Sequence, residues 1–163
     1  MLPLKRSKFF LNQLRYLSIQ RTTKHPLFKF EPVTKDVWRI EEKYFDSWNL
    51  ANMYFVRGSQ SDLLIDTGIG VHDLPSFLLW SKLREDKEKP LIVALTHTHF
   101  DHSGGAFQFA ESCGIFVHER EVDVMKTGSR YHTAAWVTPE EVLPKPIGWS
   151  AKDYHVKPVS NAQ

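Results

Sequence analysis

The apolar run Leu91-Ile92-Val93-Ala94-Leu95 empties directly into Thr96-His97-Thr98-His99-Phe100-Asp101-His102-Ser103-Gly104-Gly105. The run is short, partly β-branched and preceded by Pro90, which predicts a buried strand. Four potential metal ligands, His97, His99, Asp101 and His102, follow within six residues. The two glycines after them allow a tight turn and a close approach of backbone to a bound group. A fold built on this segment must place one strand end beside a cluster of imidazoles and a carboxylate.

The spacing has a chemical reason. Residues i and i+2 of an extended segment point to the same side, so His97 and His99 can present two imidazoles to one ion. Asp101 and His102 lie past a turn and face a neighbouring position. Zn²⁺ accepts neutral imidazole and carboxylate at about 2.0–2.2 Å. Two such ions about 3.5–4 Å apart can clamp both sides of a hydrolytic displacement. The alternative is a solvated, histidine-rich loop with no ion. A structural zinc site is a poorer match, because such sites favour closed, cysteine-rich coordination. This chain has one cysteine, Cys113, so no intrachain disulfide can form. Cys113 reads as a small apolar filler, and a reducing compartment fits.

The motif Thr96–Gly105 resembles the metal-binding motif of the metallo-β-lactamase superfamily. Ser61-Asp62-Leu63-Leu64-Ile65-Asp66-Thr67-Gly68 is similar to the strand of that family that ends in Asp-Thr-Gly. Asn52–Val56 and Ile115–Glu119 resemble the strands before it and after the metal loop. The resemblance covers roughly residues 33 to 157 and implies an α+β fold. It corresponds to the N-terminal half of an αββα sandwich, with a mixed sheet inside and helices outside. It further implies a zinc hydrolase that uses metal-activated water, with up to two Zn²⁺ ions in the complete fold. His97 and His99 would hold the first ion. Asp101 and His102 would hold the second, with Asp101 also acting catalytically to orient the nucleophile or carry its proton. Asp66 would fix the histidine loop without touching metal.

A narrower likeness rests on Trp38-Arg39-Ile40-Glu41-Glu42, Asp66-Thr67-Gly68-Ile69-Gly70 and Leu74-Pro75-Ser76-Phe77-Leu78. It implies an acyl-CoA-type thioester as the small-molecule substrate. β-Lactams and glutathione thioesters are the alternatives within the superfamily. The complete site takes a third histidine, a bridging aspartate and a last histidine from the second half of the fold. No Gly-His step and no strand ending in Gly-Asp follow residue 105. The expectation is therefore a truncated chain, inactive alone. It would need the C-terminal half or self-association for stability, since an uncovered sheet face tends to associate. A metal-binding or regulatory fragment without catalysis is the competing expectation.

Charge divides the chain. Seven of the 21 basic residues and none of the 19 acidic ones fall within residues 1–30, leaving a basic tail of +7 on a body of −5. An Arg-rich, acid-free, amphipathic start suits a mitochondrial transit peptide or an anionic membrane surface. A passive extension in a cytoplasmic protein is equally consistent with it. The tail contains no recognisable nucleic-acid module, and basic charge alone gives only non-specific contacts. No run of 18 apolar residues predicts a transmembrane helix.

The predicted organisation is a basic extension over 1–32, a partial domain over 33–157 and a tail over 158–163. Within the domain, strands are expected at 37–45, 50–56 and 63–65, the last two forming an antiparallel hairpin. Asp73 caps a helix whose Phe77, Leu78, Trp80 and Leu83 give one apolar face. A strand at 91–95 precedes the ligand loop. Ala106, Phe109 and Ala110 then recur at helical spacing. A strand at 115–118 leads to a helix over 119–126, closed by Gly128. After residue 138, Pro139, Pro144, Pro146 and Pro158 break regular structure.

Overall fold

The computed structural model describes residues 25–43, 51–135 and 151–163. The far end of the first predicted strand, Leu50, the basic stretch before residue 25, and Pro139 to Pro146 lie outside the described residues.

Six strands form one mixed sheet in sequence order: β1 (Phe28–Pro32), β2 (Val37–Glu42), β3 (Met53–Val56), β4 (Asp62–Ile65), β5 (Leu91–Ala94) and β6 (Gly114–Phe116). The first four are antiparallel neighbours, whereas β4, β5 and β6 run parallel. The β3–β4 hairpin forms as predicted, pairing Tyr54 with Ile65 and Phe55 with Leu64. Parallel neighbours need a crossover. The first contains α1 (Leu74–Trp80); the second contains α2 (Phe100–Ser103) and a 3₁₀ turn at Ala106–Phe109. Beyond β6, a 3₁₀ turn at Glu119–Glu121 leads into α3 (Val122–Thr127), which Gly128 closes at φ 62°.

Alternation along each strand sorts the two faces. One face buries Phe28, Trp38, Ile40, Met53, Phe55, Leu64, Leu91, Val93 and Ile115. Helix α1 packs there: the Phe77 ring stacks on Phe28 at 4.5 Å and meets Phe30 edge-on at 5.5 Å. Such aromatic pairs contribute about 0.5–1.5 kcal/mol beyond their buried area. The opposite face is polar on β1 and β2, where Arg39 bridges Glu31 and Glu41 at 2.8 Å each. Towards β5 and β6 it turns apolar. Tyr54, Val56, Leu63 and Ile65 are half-buried there, and Ile92 and Phe116 are exposed.

Three boundaries differ from the sequence reading. Residues 28–32, assigned to the extension, are β1, and Phe28 is fully buried. At the other end, residues 158–163 are not a loose tail. Val159 and Ala162 are buried, Ala162 bridges Ile115, and Gln163 exchanges two 3.0 Å backbone hydrogen bonds with Ile115 and Val117 beyond β6. The third concerns α1. Asp73 caps it as predicted, accepting the Ser76 N–H at 2.9 Å. Trp80, however, is 45% exposed. At 100° per residue, Leu74, Phe77 and Leu78 share a stripe that Trp80 misses. Leu83 reaches the core only after the chain turns at Lys82, φ 58°.

Candidate metal centre

The parallel register sets Ile65 opposite Ala94, so the residues that follow both strands emerge side by side. Asp66 leaves β4 at φ 59°, a left-handed conformation that Asp adopts more readily than most residues. Its backbone N–H still donates to Ala94 O at 3.0 Å. Its buried carboxylate accepts the Thr96 N–H at 2.8 Å and the Thr96 hydroxyl at 2.9–3.0 Å. It also lies 2.7 Å from His102 Nδ1.

These contacts orient two rings. A carboxylate only accepts, so His102 carries a proton on Nδ1, and in the neutral ring Nε2 is the lone pair. The Thr96 hydroxyl gives its one proton to Asp66, so its oxygen accepts from His97 Nδ1 at 3.1 Å. His97 Nε2 is freed in the same way. An imidazole fixed through one nitrogen by a carboxylate or hydroxyl is the usual arrangement behind a metal-binding Nε2.

The structure brings all four predicted ligands together. The His97 ring lies 4.7 Å from that of His99 and 4.2 Å from that of His102. His102 Nε2 stands 3.4 Å from Asp101 Oδ2. Electrostatics separates the two oriented imidazoles. The Asp66 hydrogen bond, aided by Asp101, raises the His102 pKa against the effect of burial. Burial, then the neighbouring His102 and His99, lowers that of His97. The donor types fit Zn²⁺: imidazoles with oriented Nδ1 positions and one carboxylate. The shell is not closed, for no group of three or more His, Cys, Asp or Glu side chains among the described residues is arranged to hold an ion as it stands. His118, His132 and His155 stay apart, each turned to its own loop through Arg120 N, Ser129 Oγ and Asp153 O.

The loop rests on the turn after β4. Thr67 donates its N–H and its hydroxyl to His102 O at 2.7 and 2.9 Å, and Gly105 N–H donates to Gly68 O at 3.1 Å. Tyr154 OH donates to Ile69 O at 2.7 Å from the far end of the chain. Ser103 Oγ ties α2 to Thr98 O and His99 O, and Phe100 N–H donates to Thr133 O. Sequence reasoning missed Thr96, Glu42 and Tyr154. Thr96 stands inside the motif. Glu42 shows as an acid in phase with Trp38 and Ile40. Tyr154 carries no local signal.

Residues 46–153 match the sequence profile of the Metallo-beta-lactamase superfamily, and the chain belongs to that family. It is 38% identical over 131 residues to acyl-coenzyme A thioesterase MBLAC2 of Homo sapiens, an alignment covering 76% of this chain and 46% of that protein. The chain thus spans about half the length of the curated relatives it matches. Solved structures bear out the expected fold. The subclass B3 metallo-β-lactamase MEM-A1, from a soil metagenome library, aligns with TM-score 0.56 at 16% identity, covering 83% of this chain and 45% of that one. The metallo-β-lactamase of Erythrobacter litoralis aligns with TM-score 0.52 at 17% identity, covering 76% and 50%. No helix among the described residues is long and apolar enough to cross a membrane.

Proposed function

We propose that this chain carries half of a zinc hydrolase centre acting on an acyl-CoA-type thioester. The observation behind the reading is the Asp66–Thr96 contact, which turns His97 and His102 so that both present Nε2. His97 and His99 would hold one ion, and Asp101 and His102 a second. Bound Zn²⁺ supplies a polarising charge and a water acidic enough to be ionised near neutral pH. Asp66 and Thr96 hold the two imidazoles in place through Nδ1. Asp101 would orient the nucleophilic water or carry its proton at the carboxylate. The substrate class is carried by likeness to the thioesterase relatives, with β-lactams and glutathione thioesters as the competing substrates.

Among the described residues the ligand shell stays open, and this favours a second reading, in which the chain binds metal without turnover. Zinc content after dialysis tests the shared part. Wild type should retain zinc that His97→Ala/His99→Ala loses, and equal content would remove both readings. Hydrolysis of palmitoyl-CoA, with nitrocefin as the β-lactam comparison, separates them. The chain alone with zinc should be no faster than His99→Ala. Adding the second half of a complete relative should bring turnover. Activity of the chain alone, abolished by His99→Ala, would show that its own residues or a second copy complete the centre.

A further inference from the structure

Glu42 ends β2 on the core face of the sheet, opposite Phe28, and is only 7% exposed. Burial is the largest influence on its carboxyl. An apolar side chain would suit the position better, because a buried carboxylate costs several kcal/mol unless it is well partnered. Its partner is a turn. The carboxylate accepts the Ile69 N–H at 2.8 Å. It also lies flat against Gly68, where a Cβ would stand 2.5 Å from Oε2. Gly68 is at φ 67°, so the turn passes over the carboxylate in a conformation that favours glycine.

The other contacts of this turn face the histidine loop. Thr67 holds His102 O twice, Gly68 O holds Gly105 N–H, and the Gly70 α-carbon abuts Gly104 O. Tyr154 clamps the carbonyl of Ile69, whose N–H Glu42 accepts. We propose that Glu42 is a positioning residue for the histidine loop: from beneath, its carboxylate fixes the height of the Asp66–Gly70 turn on which His102 to Gly105 rest. The consequence for metal rests on the function proposed above; the consequence for the loop does not.

Two variants of the full chain test this. Glu42→Gln keeps an oxygen for the Ile69 N–H, whereas Glu42→Leu fills the space and keeps none. Three quantities are read: the melting temperature, amide exchange at Thr67 and Gly105 without metal, and the Co²⁺ dissociation constant. Glu42→Leu should melt at or above wild type. Its Thr67 and Gly105 amides should nevertheless exchange at least ~tenfold faster, with β3 and β4 unchanged. Co²⁺ should bind at least ~tenfold more weakly. Glu42→Gln should stay within about twofold of wild type in exchange and affinity. The proposal is overturned if Glu42→Leu matches wild type in exchange, or if all amides speed up together as the melting temperature falls. If wild type binds no Co²⁺, the metal reading fails, and amide exchange alone decides the role of Glu42.

Discussion

Asp66 Oδ2 stands 2.7 Å from His102 Nδ1, and the same carboxylate receives the Thr96 hydroxyl that faces His97. One buried acid therefore governs two imidazoles. Asp66→Ala should weaken zinc binding about 10–100-fold, the usual effect of losing a group behind a metal ligand. Asn tolerates the left-handed backbone at this position, so Asp66→Asn separates charge from conformation. It should fold with near wild-type stability yet bind Co²⁺ more weakly in a spectroscopic titration. Wild-type affinity in Asp66→Asn would mean that the charge is immaterial.

Glu42 makes stability depend on pH. Burial lifts its pKa from 4.5 to about 7, with Asp101 adding repulsion and the Ile69 N–H opposing. The folded state then holds a proton that the unfolded state has released. The contribution is fully present below pH 4.5 and is lost as pH rises towards 7, a change on the order of 3 kcal/mol. Urea midpoints at pH 4.5 and pH 8 should show wild type losing more stability over that interval than Glu42→Gln. Parallel pH profiles for the two proteins would contradict the assignment.

Gly70 should not tolerate a side chain. Its φ is 75°, and a Cβ would lie 2.3 Å from the Gly104 carbonyl oxygen, a backbone atom with nowhere to go. Gly70→Ala should cost more than about 2 kcal/mol, combining left-handed strain with displacement of the loop. Thermal denaturation with an unchanged midpoint would disprove the close approach.

Phe28 tests where the domain begins. It is 1% exposed and stacked on Phe77. Phe28→Ala should lose about 3–5 kcal/mol, the range for emptying a buried aromatic site. A loss below about 1 kcal/mol would return residues 28–32 to the extension.

The basic segment before residue 25 can be tested by itself. Residues 1–24 fused to a fluorescent reporter should leave it diffuse in the cytosol if they are a passive extension. Mitochondrial accumulation would establish targeting instead.

Local signals carried most of the sheet. β3, β4 and β5 read correctly because apolar residues alternate or run together between turn-forming residues. β1 was hidden by composition: Phe28 and Phe30 alternate with Lys29 and Glu31, but they follow a strongly basic stretch. The histidine loop was legible because its four predicted ligands fall within six residues. Of what supports that loop, Asp66 was anticipated through the family resemblance, whereas Glu42 and Tyr154 were not, because the support comes from a distance. Asp66 reaches 36 residues to His102, Glu42 reaches 27 to Ile69 and Tyr154 reaches back 85 to Ile69. Only the register of packed strands creates such meetings. The open polar-to-apolar face of the sheet was anticipated only as apolar, because the ion pairs of β1 depended on recognising that strand.

The parallel pairing of β4 with β5 makes the sheet a ruler for the chemistry at its end. A strand can slip only in whole residues, about 3.3 Å each. A hydrogen bond survives a stretch of only a few tenths of an ångström. The distance from Asp66 to Thr96 and His102 is therefore digital. Either Ile65 faces Ala94 and the imidazoles are aimed, or the register is wrong and nothing holds them. Gradual drift under selection has no path at this strand pair, and tuning must fall to side chains that lean on the turn.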